Sequence, residues 1–285
     1  MWIFVLLSIM GWGAFFRSLY ERRTLSVSRY ELETDKIAAD RTFVFLSDLH
    51  DNCFGKGQKD LLDAIEKEKP DAILIGGDMM VVKDKADIRA ALFLVEKLSR
   101  RYPVFYGNGN HESRMDKKRE KYGRLYDRYI EELKKQGVIH LSDASAFLEN
   151  HIRISGLNIE EAYYKKFKTT PMEIGYIESR LGKADRRDYQ ILLAHSPMFH
   201  ETYAGWGADL TLCGHFHGGT VRIPGLGGLM TPQFQFFRKC CGGIHRLAGK
   251  VMIVSRGLGT HSVNVRLNNK PELVVIRLKA AVYRK

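Results

Sequence analysis

The sequence predicts an α/β protein in which two β-sheets pack face to face, with helices covering their outer sides. Three observations favour this fold class. Short apolar runs of strand length recur along the chain, and segments with apolar residues at helical spacing separate the early runs. Metal-binding side chains follow several of these runs. A length of 285 residues fits one large globular domain.

The first 23 residues are predicted to form a membrane anchor. Residues 2–16 are apolar or small throughout, and arginines follow directly. A helix of that length reaches about 22 Å against about 30 Å of hydrocarbon. To cross the bilayer, the apolar helix must therefore also include Leu19 and Tyr20, and the charged end of Arg17 must extend toward the headgroups. The basic flank predicts that the rest of the chain faces the cytoplasm. A cleaved signal peptide and a buried first helix are the alternatives.

After the anchor, residues 24–41 are predicted to be a polar connector with an early strand at 25–32, and the globular domain is expected over 42–285. Strands and helices then alternate, which predicts a mainly parallel or mixed sheet. The expected helices cover 59–67, 88–98, 118–136 and 172–181, and the expected strands after the third helix cover 138–141, 146–148, 152–154, 251–254 and 273–276.

Seven metal-binding side chains occur in five short clusters, each close behind an apolar run. In an open α/β sheet, ligands bind just beyond the carboxyl ends of the strands, so these side chains are expected to meet at one rim. That arrangement indicates a metal enzyme. The clusters are Asp48 with His50, Asp78, Asn110, His195, and His215 with His217, and the runs before them are 43–46, 72–75, 104–106, 191–193 and 210–212.

The ligand types predict a centre with two ions. Carboxylate, amide and imidazole groups together suit divalent ions such as Mn²⁺, Fe²⁺ or Zn²⁺. Seven ligands are too many for one ion, whereas two ions about 3.5–4 Å apart that share a carboxylate would use them all. Asp78 is the expected bridge, because it comes alone after a strand and two glycines. A water shared by two cations becomes a hydroxide nucleophile near neutral pH.

Residues beside the ligands are assigned supporting roles. His111 follows Asn110 and cannot easily share its metal, so it is predicted to protonate the leaving oxygen or to stabilise charge. Asp51 either orients His111 or is a plain surface carboxylate. Glu112 is expected to support the ligands rather than to bind an ion.

A net charge of +12 favours a polyanionic neighbour, either anionic lipid headgroups or nucleic acid. Nucleic acid is the less favoured partner, because the sequence has an anchor and carries no nucleic-acid-binding module. Four cysteines are too few for a disulfide framework, which excludes a disulfide-rich secreted module.

The long loop 221–249 carries aromatic side chains, including Phe234, Phe236 and Phe237. Such a loop either admits a lipid tail or packs on its own core, and both interpretations stay open. Candidate residues for binding the phosphate of a substrate are Arg222, Arg238 and Arg256.

These motifs, taken in order, resemble the signature of the calcineurin-like metallophosphoesterases. The similarity covers about residues 42–278, and features of the tail, such as Arg266, are similar to the membrane-anchored, YkuE-like bacterial branch of that family. The matching motifs are Asp48-Leu-His50, Gly77-Asp78, Gly109-Asn110-His111-Glu112, His195 and Gly214-His215-Phe-His217.

The resemblance implies a four-layer α/β/β/α sandwich of two mixed sheets, the metallo-dependent phosphatase fold. It also implies hydrolysis of a phosphomonoester, phosphodiester or pyrophosphate, commonly with Mn²⁺, on a phosphorylated small molecule or lipid at a membrane. The rival interpretations are a nuclease or cyclic-nucleotide phosphodiesterase, and a scaffold that binds metal without catalysis. One ion would be held by Asp48, His50, Asp78 and His217, and the other by Asp78, Asn110, His195 and His215.

Overall fold

The computed structural model describes residues 2–166, 170–232, 235–238, 240–260 and 264–281. Over this part of the chain, two mixed sheets pack face to face and helices cover both outer sides. The structure thus confirms the predicted α/β/β/α order of layers.

The first sheet contains the strands that carry the early ligand clusters. Strands β2, β3, β4 and β5 run parallel to one another, and β14 pairs antiparallel with β2. Strand β1 pairs with β14, so the early strand of the predicted connector belongs to the globular domain. The strands are β1 (Ser26–Thr34), β2 (Arg41–Leu46), β3 (Ala72–Ile75), β4 (Val104–Gly107), β5 (Ile139–Leu141) and β14 (Glu272–Ala280), in the order β1-β14-β2-β3-β4-β5.

The second sheet carries the late histidines. Strands β7, β8, β9 and β13 are parallel, and β6 and β12 pair antiparallel at the two edges. Strands β10 (Arg222–Ile223) and β11 (Gly227–Gly228) form a separate small ribbon. The sheet consists of β6 (Ala144–Glu149), β7 (Ile152–Leu157), β8 (Tyr189–Ala194), β9 (Leu210–Cys213), β12 (Gly243–Leu247) and β13 (Lys250–Val254), in the order β12-β13-β9-β8-β7-β6.

The helices agree with the sequence prediction except around residues 110–136 and at 200–206, where the sequence predicted no helix. The single helix predicted over 118–136 is wrong, because Gly123, with a φ of 57°, interrupts it. A helix that the sequence did not predict begins at Asn110 itself. The helices are α1 (Trp2–Arg23), α2 (Lys59–Glu68), α3 (Arg89–Ser99), α4 (Asn110–Lys117), α5 (Arg119–Tyr122), α6 (Leu125–Lys135), α7 (Ile174–Leu181) and α8 (His200–Trp206).

The central strands are apolar along their length because both of their faces are buried. In β2, Val44 and Leu46 belong to the core under α2, α3 and α6, whereas Phe43 and Phe45 belong to the core between the sheets. This alternation follows from the two-residue period of a strand. A third core lies between the second sheet and helices α7 and α8. The packing holds the carboxyl ends of the strands at one edge of the sandwich.

Helix α1 is, among the described residues, the one long and apolar enough to cross a membrane. Its apolar side chains, such as Phe4 and Trp12, are exposed, whereas a buried first helix would cover them. A signal sequence near the N-terminus has the same length and composition. Near the end of α1, Ser18 and Glu21 are buried against the globular domain.

Candidate metal centre

The ligand clusters predicted from the sequence meet at one edge of the sandwich, just beyond the carboxyl ends of five strands. Three of these strands are in the first sheet and two are in the second, so the centre lies between the sheets. Asp48 and His50 follow β2, Asp78 follows β3, Asn110 opens α4 after β4, His195 follows β8, and His215 and His217 follow β9.

Two buried carboxylates form the middle of the centre, and histidine nitrogens surround them. Nε2 of His195 lies 3.2 Å from Oδ2 of Asp78 and 3.7 Å from Oδ1 of Asp48. Nε2 of His217 lies 3.5 Å from Oδ1 of Asp48. Nε2 of His50 is 3.9 Å from an oxygen of each carboxylate. Both aspartates are fully buried, so these atoms interact in a medium of low dielectric constant.

The side chains fall into groups that suit two neighbouring cations. The ligand atoms of Asp48, His50 and His217 lie within 4.8 Å of one another, and so do those of Asp78, His195 and His215. The side-chain amide of Asn110 reaches the second group, with one terminal atom 2.9 Å from Nδ1 of His215 and 3.3 Å from Oδ2 of Asp78. This donor set fits a divalent first-row ion.

Backbone carbonyls fix which nitrogen of two histidines can bind a cation. Nδ1 of His195 lies 2.7 Å from the carbonyl oxygen of Gly76, and Nδ1 of His217 lies 3.3 Å from that of Gly259. A carbonyl oxygen can only accept, so Nδ1 carries the proton in both rings. In the neutral rings, which are the forms that bind metal, the lone pair of each Nε2 then faces the carboxylates. Metal-binding histidines are commonly oriented in this way.

His111 is held in the opposite tautomer. Its Nδ1 accepts a hydrogen bond from the backbone N–H of Val82 at 2.6 Å, so the proton of the neutral ring lies on Nε2. That atom is 4.0 Å from Oδ2 of Asp78. His111 also lies within 4.8 Å of His50 and Asp78 as a third group of potential ligands. Its tautomer nevertheless makes Nε2 a proton donor rather than a metal ligand.

Asp51 supports the same segment from the other side. Its carboxylate accepts the N–H of Val81 at 3.0 Å, next to the residue that orients His111. The backbone N–H of Val82 therefore fixes the His111 ring, and Asp51 holds the backbone of the neighbouring residue, Val81. Burial, and more weakly Asp87, raises the pKa of Asp51.

The backbone is strained at five of the seven predicted ligands. Asp48, His50, Asp78, His215 and His217 have φ values of 46–67°, in the left-handed region. Such a conformation costs about 1–3 kcal/mol for a residue other than glycine. Strain of this kind persists where the surrounding structure fixes it, and it is concentrated at functional sites. It marks the loops after β2, β3 and β9 as parts of one centre.

Two glycines allow the ligand loops to approach each other. A Cβ atom on Gly77, which has a φ of 85°, would lie 1.9 Å from the backbone nitrogen of Gly109. A Cβ atom on Gly214 would lie 2.2 Å from Oδ2 of Asp48. Only glycine fits at such distances. The turns that carry Asp78 and Asn110 are therefore in direct backbone contact, and the turn that carries His215 packs on the side chain of Asp48.

The charges of the two carboxylates and His195 depend on one another. Burial, the largest effect, raises the pKa of Asp48 to about 6, and Asp78 adds to this while His195 opposes it. Burial alone would raise the pKa of Asp78, but His195 and His111 hold it well below its ordinary value. Burial alone would lower the pKa of His195, but Asp78 and Asp48 raise it to about 10. The two carboxylates therefore attract positive charge, which cations would supply.

Glu112 is a buried support for two ligand turns, as the sequence predicts. Its carboxylate accepts the backbone N–H groups of Asp78, Met79 and Gly109 at 2.8, 3.1 and 3.0 Å. The hydroxyl of Tyr106 donates a fourth hydrogen bond at 2.6 Å. One side chain thus joins the turn that holds Asp78 to the turn that holds Asn110.

The arrangement of the centre agrees with a comparison of the whole sequence with known families. Residues 41–219 match the sequence model of the family described as calcineurin-like phosphoesterase. The chain belongs to the calcineurin-like phosphoesterase family. Membership makes it a hydrolase that acts on ester bonds, and the buried aspartate and histidine cluster of this phosphoesterase suits divalent cations.

Relatives of this phosphoesterase occur in several bacteria. An uncharacterized metallophosphoesterase of Aquifex aeolicus is 27% identical over 263 residues, which are 90% of this chain and 92% of the relative. The phosphodiesterase YaeI of Escherichia coli is 27% identical over 246 residues, covering 85% and 83% of the two chains. The uncharacterized metallophosphoesterase YkuE of Bacillus subtilis is 31% identical over 103 residues, covering 36% and 35%.

Cavities lie on both sides of the centre. A cavity of about 450 Å³ adjoins Asn110 and contains the basic side chains of Arg114 and Lys165. Tyr164 lies at its inner end, with its ring 4.9 Å from that of His215. A second cavity of about 220 Å³ adjoins His50. Tyr164 was not predicted as a site residue, because no sequence pattern near it indicates that it packs on a distant histidine.

The three predicted phosphate-binding arginines are engaged elsewhere in the structure. Arg256 pairs with Glu272 at 3.1 Å, and Arg222 donates to the carbonyl oxygen of Gly218 at 3.2 Å. Arg238 donates to the side chain of Gln235 at 2.8 Å. Their role in binding phosphate stays a prediction.

The cavity beside His50 is lined by two other arginines, Arg22 of α1 and Arg266. Of the aromatic residues predicted to matter in the loop 221–249, Phe236 and Phe237 are exposed, and Phe234 lies outside the described residues.

Proposed function

We propose that this phosphoesterase is a two-metal phosphohydrolase, anchored in a membrane by α1, that cleaves a phosphoester or pyrophosphate bond of a membrane-proximal or lipid-linked substrate. The observation that carries the proposal is the contrast between histidine tautomers. In their neutral forms, His195 and His217 direct an unprotonated Nε2 at the carboxylates, whereas neutral His111 directs a protonated Nε2 at the same place. Hydrolysis at a metal centre needs both ligands for the metal and a donor of protons.

The residues present fit two cations that share one carboxylate. Asp78 is the proposed bridge, because its Oδ2 faces His195 of one group and His50 of the other. When bound, the cations would supply the metal chemistry by acidifying water and neutralising charge on the phosphoryl group. We propose Mn²⁺ as the native ion, with Fe²⁺ or Zn²⁺ as alternatives. The two sets are Asp48, His50, Asp78 and His217, and Asp78, Asn110, His195 and His215.

His111 is the proposed general acid. The Val82 N–H holds its Nδ1, so Nε2 is the atom that can deliver a proton to the oxygen that leaves phosphorus. The ring packs edge-on to His50, with centroids 5.0 Å apart, so it stays close to the ligands. The name of the relative YaeI, a phosphodiesterase, supports an ester with such a leaving group.

Anchoring by α1 places the substrate at a membrane surface. The basic residues Arg17, Arg22 and Arg23 follow its apolar part, and such flanks stay on the cytoplasmic side. We therefore propose that the catalytic domain faces the cytoplasm. The cavity beside His50 contains Arg22, so the end of the anchor takes part in shaping the site.

Removal and return of metal test the centre. The full chain in detergent should lose hydrolysis of bis(p-nitrophenyl) phosphate after chelation and regain it with Mn²⁺. Asn110→Ala and His217→Ala should each lower kcat/KM by at least about 100-fold, because even partners behind metal ligands are worth about 10–100-fold. His151→Ala is the matched control, since His151 is exposed and pairs with Asp188 on the surface. Unchanged activity in either ligand variant would contradict the mechanism.

Substrates with different leaving groups test His111. His111→Gln should slow hydrolysis of an alkyl phosphodiester by about 10²–10⁴-fold, because an alkoxide needs a proton to leave. The same variant should slow hydrolysis of the p-nitrophenyl ester much less, because nitrophenolate leaves without one. Equal losses on both esters would show that His111 stabilises charge and is not the acid.

A substrate panel separates the remaining alternatives. It should contain lipid-linked pyrophosphates, nucleotides and a glycerophosphodiester, each with Mn²⁺ and detergent. Preference for the lipid substrates supports the proposal, and preference for nucleotides favours a nuclease or cyclic-nucleotide phosphodiesterase. A metal content below about one ion per purified chain would favour a scaffold without catalysis.

A further inference from the structure

Two adjoining cavities connect the metal centre to the anchor helix. The first, of about 220 Å³, begins at His50 and is lined further out by Arg22 and Asn264. The second, of about 280 Å³, is also lined by Arg22 and Asn264. The two cavities therefore lie side by side at the end of α1, with Arg22 and Asn264 in the wall of each.

The second cavity is an apolar groove between α1 and a segment of the catalytic domain. Ala14, Phe15 and Leu19 form the wall on the helix, and Val265 and Leu267 form the facing wall. From Ala14 to Arg22 the groove extends about 12 Å along the helix axis. It begins within the apolar, exposed part of α1 and ends at the polar cavity.

The cavity near the metal centre has the opposite character. Arg22 and Arg266 supply two cationic groups, and Asp51 supplies one carboxylate. Arg266 is 1% exposed, and its guanidinium donates to carbonyl oxygens of the loop that follows β13, including that of Gly259 at 2.7 Å. This cavity suits an anionic group, and the adjoining groove suits a hydrocarbon chain.

Hydrogen bonds hold the two walls of the groove together. The hydroxyl of Ser18 accepts the backbone N–H of Arg266 at 3.0 Å, and the carboxylate of Glu21 accepts that of Asn269 at 2.8 Å. Asn269 in turn donates to the carbonyl oxygen of His217 at 2.7 Å. The wall of the groove is thus continuous with the backbone of a predicted metal ligand.

We infer that the groove between α1 and 264–267 binds the hydrocarbon chain of an anionic lipid phosphoester, with its phosphate directed through the cavity of Arg22 toward His50. That the phosphoester is hydrolysed rests on the proposed function. That the hydrocarbon chain binds here rests on the groove itself. The occupant is a lipid because the groove opens on the apolar face of the anchor and its inner end is cationic.

Photolabelling of the full chain in phosphatidylcholine nanodiscs tests the inference without relying on catalysis. The probe is a single-chain alkyl phosphodiester with a diazirine midway along the chain, and labelled sites are mapped by peptide mass spectrometry. Val265 and Leu267 should be labelled together with Phe15 and Leu19, because the chain lies between them. A neutral probe with the same chain should label Val265 and Leu267 less, because it lacks the phosphate.

Two neighbouring substitutions provide a matched pair. Ala14→Trp fills the groove and should reduce labelling of Val265 and Leu267 by about tenfold, equivalent to displacing about two methylene groups. Gly13→Trp adds the same side chain at a position whose Cβ meets nothing within 4 Å, and labelling should not change. Val265→Trp fills the groove from the opposite wall and should reduce labelling of Leu267 if Ala14→Trp does not fold.

Labelling confined to α1, or equal in the Ala14→Trp and Gly13→Trp chains, would overturn the inference. Hydrolysis of bis(p-nitrophenyl) phosphate, a soluble ester without a hydrocarbon chain, is measured on the same samples with and without Mn²⁺, so that the state of the metal centre is known separately from labelling of the groove. Metal-dependent hydrolysis with no labelling of 264–267 would support the proposed function and contradict lipid binding in the groove. Labelling of 264–267 without metal-dependent hydrolysis would support lipid binding in the groove and contradict the proposed function.

Discussion

The contact between Gly77 and Gly109 makes the position of the ligand turns sensitive to a single methyl group. In Gly77→Ala, the new Cβ would lie 1.9 Å from the nitrogen of Gly109 and 2.5 Å from the carbonyl carbon of Asn108. Ordinary contact begins near 3.4 Å, so the two turns must separate by roughly 1.5 Å. Asp78 and Asn110 are the next residues in these turns, so the separation moves one predicted ligand away from another.

Two costs add in this variant. A φ of 85° strains alanine by about 1–2 kcal/mol, and forcing apart two buried backbone segments brings the total to about 3–5 kcal/mol. Metal affinity should fall by at least about 10-fold, since partners that merely orient ligands are worth about 10–100-fold. Denaturant unfolding of the metal-free chain measures the first effect, and Mn²⁺ titration calorimetry measures the second.

Gly225→Ala separates strain from displacement. Gly225 has a φ of 80°, nearly that of Gly77, but a Cβ there meets nothing within 4 Å. This control should lose about 1–2 kcal/mol and keep its metal affinity. If Gly77→Ala and Gly225→Ala lose equal stability and bind Mn²⁺ equally, the close approach of the turns does not position the ligands, and the reasoning is refuted.

Two further predictions concern buried ionisable groups. Glu112→Ala should lower the free energy of unfolding by about 3–5 kcal/mol in denaturant titrations, because three buried backbone N–H groups lose their acceptor. A change below about 1 kcal/mol would contradict that role. Burial, helped by a nearby lysine, lowers the pKa of His140 to about 4, so the unfolded chain takes up a proton from about pH 6.5 downward while the folded chain does not. Stability should fall between pH 6.5 and 4, and His140→Gln should reduce that fall by about 2–3 kcal/mol.

The sequence predicted which side chains meet at the edge of the sandwich, because these side chains follow strands that are easy to recognise. The runs 72–75 and 210–212 are apolar in every or nearly every position, as expected for strands buried on both faces. Asp78 and His215 each come three residues after such a run, which places them at the rim of the sandwich. Local patterns were therefore enough to bring Asp78 and His215 to one place.

The details that the sequence did not predict depend on contacts between distant parts of the chain. Helix α4 begins at Asn110 because Glu112 accepts N–H groups from its own turn and from the turn of Asp78, 34 residues away. The sequence predicted one continuous helix over 118–136, and the interruption follows from the backbone at Gly123. The tautomer of His111 depends on Val82, which no local pattern connects to it.

The short distance along the chain between α1 and β1 has a consequence for where this enzyme can work. The helix ends at Arg23 and the strand begins at Ser26, so two residues take the place of a linker. Glu21 and Ser18 fasten the helix to the domain as well. Where α1 spans a membrane, the metal centre therefore stays at a fixed height and angle above the lipid, and it cannot sample the volume that a flexible tether would sweep. Its encounters with substrate are then governed by lateral diffusion in the plane of the bilayer, and a change in bilayer thickness that tilts the helix would tilt the catalytic centre with it.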